Sequence, residues 1–481
     1  LNARIIKLFG FVVLSFAVLI AFTSQWAVFG AADLRQERAN KRPLFEAQQI
    51  KRGRITAADG SLIAKSVGTG QGASRQFVRE YALGGLFAHP IGYSFAEQGN
   101  SEFESFHNDE LTGENSEFTT IFDELRGREQ TGNNVSTSLD PVAQQTAFDL
   151  LGGRAGAVVA IEPSTGRVRV MVSQPPYDPN LVPDQLPELN QDPESPLLNR
   201  TTQGQYPPGS TFKLVTAAAA LDSGAVGIDT LIDAPATLNV QGQPLANSGG
   251  SSFGEIDITT ALTNSVNTFF AKLGRRVGEE TLYEYMDRFG FNSRPEIDLP
   301  ADQLSVSGVF GPDGDLLRDG EGVDISRIAI GQERLLSTPL QMAEVAATIA
   351  NDGDLMKPRI WDQVKDVDGR TVDSMEPSRQ SEVMSEETAG QLTEAMKAVV
   401  NEGTGTAAAL SGIDVAGKTG TAEVPGRQAC DGLPNQAWFV GFAPADDPQI
   451  AVAVTVECTD GQGGTVAAPI AAGVMQTLIG G

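Results

Sequence analysis

The stretch Tyr206-Pro207-Pro208-Gly209-Ser210-Thr211-Phe212-Lys213 constrains this chain more than any other. Pro207 and Pro208 cannot extend a strand ladder, and Gly209 permits a tight turn. The helix-compatible run from Leu214 to Leu221 follows, with Gly224 as its stop. Ser210 is therefore expected at the N-terminus of a largely apolar, buried helix. Lys213, three residues on, shares its face. A hydroxyl and an amine are thereby held one turn apart, and the unpaired N–H groups of the helix start face any carbonyl the hydroxyl attacks. Taken alone, the Ser-x-x-Lys spacing is more often a helix cap followed by a surface lysine.

Histidine is scarce. Only His89 and His107 occur, both upstream of Ser210, so a His-rich zinc site is not expected. Gly250-Ser251-Ser252-Phe253-Gly254 fits the Gly-x-Ser-x-Gly elbow of α/β-hydrolases, but no histidine follows it as that order requires, and it reads as a loop. A serine nucleophile in this chain needs another base, and lysine is the available one.

The company of Ser210 decides the reading. Its Ser-x-x-Lys is the only one in the chain. The only Ser-x-Asn (Ser265-Val266-Asn267) and the only Lys-Thr-Gly (Lys418-Thr419-Gly420) follow in order. These are the three signatures of the penicillin-recognising serine transferases. The chain resembles a class B penicillin-binding protein, and its compactness resembles the small actinobacterial type. The resemblance covers about residue 52 to the end and is most specific from Asn199 onward. It implies an α+β fold: a serine β-lactamase-like transpeptidase domain, an antiparallel sheet with helices, preceded by an elongated N-terminal module and one transmembrane helix. The expected division is an anchor at 1–32, an N-terminal module at 33–153 and a penicillin-binding transpeptidase domain at 154–481.

The resemblance also implies roles. Ser210 is the nucleophile and Lys213 its base. Burial and a second cation, Lys418, would lower the pKa of Lys213. Ser265 relays a proton to the departing amine, and Asn267 bonds the substrate peptide and holds Lys213. Lys418, Thr419 and Thr421 grip a terminal carboxylate from an edge strand, with Gly420 leaving room for close backbone approach. The backbone N–H groups of Ser210 and Thr421 form the oxyanion hole. The implied reaction is peptidoglycan D,D-transpeptidation of stem peptides ending in D-Ala-D-Ala, with residual D,D-carboxypeptidase activity. β-Lactams would acylate the same serine. The resemblance implies no metal and no organic cofactor. Residues 33–153 are too few for a glycosyltransferase module, so a polytopic membrane glycosyltransferase and other wall-synthesis proteins are the expected partners.

Composition fits this frame. The net charge of −26, with no basic tract, argues against nucleic acid as a partner. Leu8 to Ala32 carries no charge and is long enough to span a bilayer. It lacks a clear cleavage site before Trp26, so it reads as a retained single-pass anchor rather than a cleaved signal. Arg4 and Lys7 precede it, and Arg35, Arg38, Lys41 and Arg42 follow closely, so charge leaves the orientation open. The extracytoplasmic placement of the catalytic domain comes from the resemblance.

Along the chain, Arg52-Gly53-Arg54-Ile55 to Ala64 reads as strand, turn at Asp59-Gly60, strand, and is similar to the opening of the class B N-terminal module. Ala57-Ala58 stands where that family carries Asp-Arg. Residues 98–117 and the insert up to Arg200 read as loop. The segment from Ala157 to Val172 reads as a hairpin, Thr338-Pro339-Leu340-Gln341 as a capped helix start, and Glu386 to Val400 as a helix. Three strands near 418–424, 438–443 and 450–457 precede a final helix near 469–478.

Two rival readings remain. A class D-like β-lactamase or membrane-bound β-lactam sensor can carry Ser-Thr-Phe-Lys, but generally has Ser-x-Val as its second motif and lacks the 52–64 module. A catalytically weak scaffold of a wall-synthesis complex is the non-enzyme alternative. Cys430 and Cys458 are the only cysteines. Outside the cytoplasm an even pair is expected to bridge, and the strand order puts both at one end of the sheet.

Overall fold

A computed structural model describes residues 2–24, 48–70, 75–113, 131–318, 322–423, 430, 433 and 435–480. Helix α1 (Asn2–Ser24) is exposed from Arg4 to Thr23 and carries no charge after Lys7. It is long and apolar enough to cross a membrane. The remainder of the apolar stretch, 25–32, and the charges Arg35, Arg38, Lys41 and Arg42 lie outside the described residues.

The N-terminal part begins with β1 (Ile55–Thr56), β2 (Leu62–Thr69), β3 (Gln76–Tyr81) and β4 (Asn134–Thr137). Helix α2 (Pro141–Leu151) follows, capped by the Asp140 side chain on the N–H groups of Val142 and Ala143. The hairpin β5 (Gly156–Ile161) and β6 (Val168–Gln174) comes next. Helices α3 (Lys213–Asp222), α4 (Asn267–Val277) and α5 (Pro339–Ala350) are followed by β7 (Trp361–Lys365) and β8 (Thr371–Ser374). The chain closes with α6 (Glu386–Asn401), β9 (Ala416–Glu423), β10 (Asn435–Ala443), β11 (Ile450–Thr459) and α7 (Gly463–Gly480).

Strands β9-β10-β11-β5-β6, in that order, form a five-stranded antiparallel sheet. Both faces are buried, so its strands are continuous apolar runs whose alternate residues enter different cores. Val158 and Ala160 pack with α2 and α7, whereas Val159 and Ile161 pack with α3 and α5. Strand β9 lies at the edge, which leaves one side of Lys418-Thr419-Gly420 unpaired by sheet and open to a ligand.

The second sheet, β8-β7-β4-β1-β2-β3, carries a feature that sequence pattern did not reveal. Its strands β7 and β8 come from residues far down the chain, between helices α5 and α6. Asp298 accepts from the N–H groups of Ile360 and Trp361 at 2.8 Å each, aiming β7 into this sheet.

Two expectations of loop are corrected. Within 98–113 the chain forms short helices at Glu102–Phe106 and Asn108–Thr112; residues 114–117 lie outside the described set. The polar composition misled because one acid, Glu104, is fully buried between Arg52 (2.9 Å) and Arg79 (2.5 Å). The insert before Arg200 contains the helix Val182–Gln191 despite Pro187 within it. Leu186 and Leu189 pack it against Tyr177 and Ala88, and tertiary contact outweighs the propensity cost.

Candidate active site

The serine turn is built by backbone shape. Gly209–Phe212 is a 3-10 turn that runs into α3, so Ser210 sits one turn before a helix whose interior is wholly buried. The turn is clamped from three directions. The Gly209 N–H donates to Gly331 O at 2.9 Å, the Trp438 indole donates to Pro207 O at 3.0 Å, and Tyr206 pairs both ways with Ser337. Gly331 has φ +74°, and a Cβ there would meet Gly209 O at 1.9 Å, so only glycine fits. The close approach expected at Gly420 is also present, but its partner is the serine turn itself. A Cβ on Gly420 would lie 2.9 Å from Pro208 O.

Lys213 opens α3 and is completely buried. Its Nζ donates to Asn267 Oδ1 at 2.7 Å, Ser265 O at 2.8 Å and Ser265 Oγ at 3.3 Å. Lys418, also buried, donates to Ser265 Oγ at 3.0 Å and to Thr419 O at 3.0 Å. The two amines therefore share one hydroxyl. Burial, and then the Lys418 charge, hold the Lys213 pKa well below the ordinary lysine value, and burial pushes Lys418 down to about 7. A hydroxyl has two acceptor positions and one proton. With both amines donating to Ser265, its proton is left for a third atom.

Ser265 reaches this position through a left-handed backbone, φ +56°, between the helix Ile258–Thr263 and α4. A non-glycine residue in this region costs about 1–3 kcal/mol and is characteristic of functional sites.

On β9, Thr419 Oγ1 lies 2.6 Å from Thr404 Oγ1, and Thr421 Oγ1 accepts from the Gly463 N–H at 3.1 Å. The N-terminus of α7 thus abuts Thr421, and its dipole favours an anion there. Ser210, Ser265, Asn267, Thr419, Gly420 and Thr421 line one cleft of about 590 Å³. Lys213 and Lys418 lie beneath it, bonded to Ser265.

The same cleft is lined by Asn247, Arg327, Gln332, Thr404, Asn435 and Gln462. Sequence reasoning missed these. They come from loops and element ends with no local signature, and only the fold assembles them. Gly250-Ser251-Ser252-Phe253-Gly254 lies between a 3-10 turn and a short strand, with Ser251 and Ser252 exposed.

Cys430 and Cys458 are bonded, with Cα atoms 4.8 Å apart. Cys458 precedes Thr459, the strand partner of the cleft residue Asn435. The bridge ties the chain after β9 to the sheet at the cleft rim.

Comparison with known proteins agrees with this geometry. Residues 156–476 match the penicillin binding protein transpeptidase domain, and residues 52–135 match the penicillin binding protein A dimerisation domain. The chain is 37% identical to peptidoglycan D,D-transpeptidase PbpA of Mycolicibacterium smegmatis, over 94% of each chain. It is 34% identical to PbpA of Mycobacterium tuberculosis, with both chains fully covered. Among solved structures, it superposes with a TM-score of 0.81 on penicillin-binding protein A from M. tuberculosis as its ceftriaxone acyl-enzyme complex. That match has 34% identity and covers 90% of this chain and all of the other. A paired-lysine serine site on this five-stranded sheet, together with these likenesses over nearly its whole length, shows that the chain belongs to the penicillin-binding protein transpeptidases, of class B.

Proposed function

We propose that this protein is a peptidoglycan D,D-transpeptidase that acts through an acyl-enzyme on Ser210. The observation that carries the reading is the convergence of Lys213 and Lys418 on Ser265 beneath the cleft that Ser210 lines. In the forward half-reaction neutral Lys213 takes the Ser210 proton, and Oγ attacks the carbonyl of the penultimate D-alanine. The backbone N–H groups of Ser210 and Thr421 stabilise the oxyanion, a contribution of several kcal/mol in such sites. The C–N bond then breaks: Ser265 passes its proton to the departing D-alanine nitrogen and takes in exchange the proton that Lys213 received from Ser210, so that Lys213 is again neutral and the acyl ester remains. An amine from a neighbouring strand attacks the ester and restores Ser210. Thr419 and Thr421, with the Lys418 charge behind them, hold the terminal carboxylate.

The bulk of the chain stands outside the cytoplasm, anchored by α1. The Cys430–Cys458 bridge supports that placement, because such bonds persist in oxidising compartments. A polytopic membrane glycosyltransferase supplies the strands to be joined, since the N-terminal sheet is too small to hold one.

Mass spectrometry after penicillin treatment tests the reading. The adduct is expected on the Ser210 peptide and is absent in Ser210→Ala. An adduct elsewhere overturns it. The described residues lining the cleft include no carboxylate to activate water, so the adduct is expected to outlast turnover by a β-lactamase. Release of hydrolysed penicillin within seconds would instead place the chain among β-lactamases.

A further inference from the structure

Among the described residues lining the cleft, one cation is left unused by the chemistry above. Arg327 lies in the helical turn Ile325–Ile328, and Gly331, which follows that turn, accepts the hydrogen bond from Gly209 of the serine turn. The segment that carries the arginine is thereby tied to the serine turn through Gly331. Arg327 is half-buried and lines the cleft. Among the described residues its side chain has no hydrogen-bond or ion-pair partner. The other arginines of this neighbourhood are engaged: Arg275 donates to Ser326 Oγ at 2.7 Å and Arg334 to Gly322 O at 3.3 Å. Asp324, the acid nearest in sequence, accepts from the Ser326 N–H at 2.7 Å and caps the turn instead of pairing with Arg327.

The cleft is correspondingly unbalanced. Lys213 and Lys418 are buried and committed to Ser265, and no described carboxylate lines the walls. A guanidinium held half out of water without a partner loses solvation and gains nothing until an anion arrives. Planar bidentate pairing makes a carboxylate its best match. The terminal carboxylate of the donor already has the edge strand β9, with Thr419, Thr421 and the start of α7.

We propose that Arg327 is a specificity-determining residue that binds a second carboxylate of the acyl donor, carried on the residue immediately before D-Ala-D-Ala. This inference rests on the transpeptidase reading. The donor's terminal carboxylate lies along β9, and its remaining residues leave Ser210 along the other walls of the cleft. Arg327 is fixed to the serine turn through Gly331, so it meets the part of the donor nearest the acyl bond. The contact persists in the acyl-enzyme after D-alanine has left, because the residue that carries the second carboxylate stays attached.

The test uses the full-length protein in detergent and two synthetic donors. Both end in D-Ala-D-Ala and differ only in a side-chain carboxylate or carboxamide on the preceding residue. D-Alanine release gives kcat/KM for each. The wild type is expected to prefer the carboxylate by about tenfold or more, the range of one charge-assisted pair. In Arg327→Gln that preference falls to within about twofold, and Arg327→Lys recovers part of it. Penicillin acylation of Ser210 in each variant reports that the site is folded. A wild type that takes both donors equally overturns the proposal without the need for any variant. Equal losses on both donors in Arg327→Gln overturn it too and mark a merely structural role. Failure of penicillin to label Ser210 in the wild type is a separate outcome that overturns the transpeptidase reading on which the proposal rests.

Discussion

At the scale of single residues, the paired lysines carry the sharpest consequences. In the proposed mechanism Lys213 must be neutral to accept the Ser210 proton, and burial followed by the Lys418 charge lowers its pKa. Lys213→Ala is expected to slow penicillin acylation by about 10²–10⁴-fold, the usual worth of a positioned base. The rate should fall on the acid side as Lys213 becomes protonated. It should also fall on the alkaline side through about 7, as Lys418 loses the charge that the proposed mechanism sets behind the carboxylate. Removing that charge in Lys418→Gln removes the alkaline limb and moves the acid limb to higher pH, because the repulsion on Lys213 is gone. A pH–rate profile of the variant checks both shifts. Thr419 gives a second residue-level expectation. Thr419→Val deletes the hydroxyl that lies 2.6 Å from Thr404 Oγ1 and faces the cleft. A donor with a free terminal carboxylate should lose more kcat/KM than its amide counterpart, measured side by side.

Among the elements, the edge strand β9 and the turn at Gly209–Phe212 act as one unit. Gly420 admits Pro208 O, and Gly331 admits Gly209, so strand, turn and following loop touch through backbone. The disulfide extends this unit to β11. Its closed loop, with a sequence separation of 28, is worth about 3–4 kcal/mol in the chain-entropy account. Cys430→Ser paired with Cys458→Ser is therefore expected to lower the unfolding free energy by that amount in a denaturant titration. Adding reductant to the wild type should give the same shift, and adding it to the double variant should give none.

For the molecule as a whole, the two sheets are stitched together rather than strung in series. Strands β7 and β8 leave the catalytic body to complete the N-terminal sheet. Ser138 Oγ donates to Val168 O at 2.7 Å, and the Ser138 N–H donates to Ile360 O at 2.7 Å. Glu104 is the electrostatic centre of the N-terminal part. Burial raises its pKa, but Arg79 and Arg52 overcome that and hold it below 4.5. Glu104→Gln leaves two guanidinium groups without their counter-charge and should cost about 3–5 kcal/mol. Because the folded pKa lies below the unfolded one, the stability that Glu104 lends is present above pH 4.5 and lost as pH falls through the folded value. Calorimetry of wild type and variant from neutral to acid pH tests this, with the gap between them closing as the acid limb is reached. The stitching by β7 and β8 further predicts one displaced transition rather than two.

What the sequence determined by itself was local chemistry. Two prolines and a glycine before Ser210 dictate a turn into a helix, and spacing puts Lys213 on its face. Periodicity and turn residues mark the strands of the central sheet, and an uncharged run marks α1. Each depends on interactions between near neighbours, which are written in order along the chain. The tertiary structure decided the rest. It brought Lys213, Ser265 and Lys418 together, buried Glu104 inside a stretch that reads as polar loop, and returned residues 361–374 to the N-terminal sheet. It also placed Arg327, Thr404 and Gln462 around the cleft. Those outcomes follow from packing and desolvation between distant segments, and no spacing along the chain encodes them.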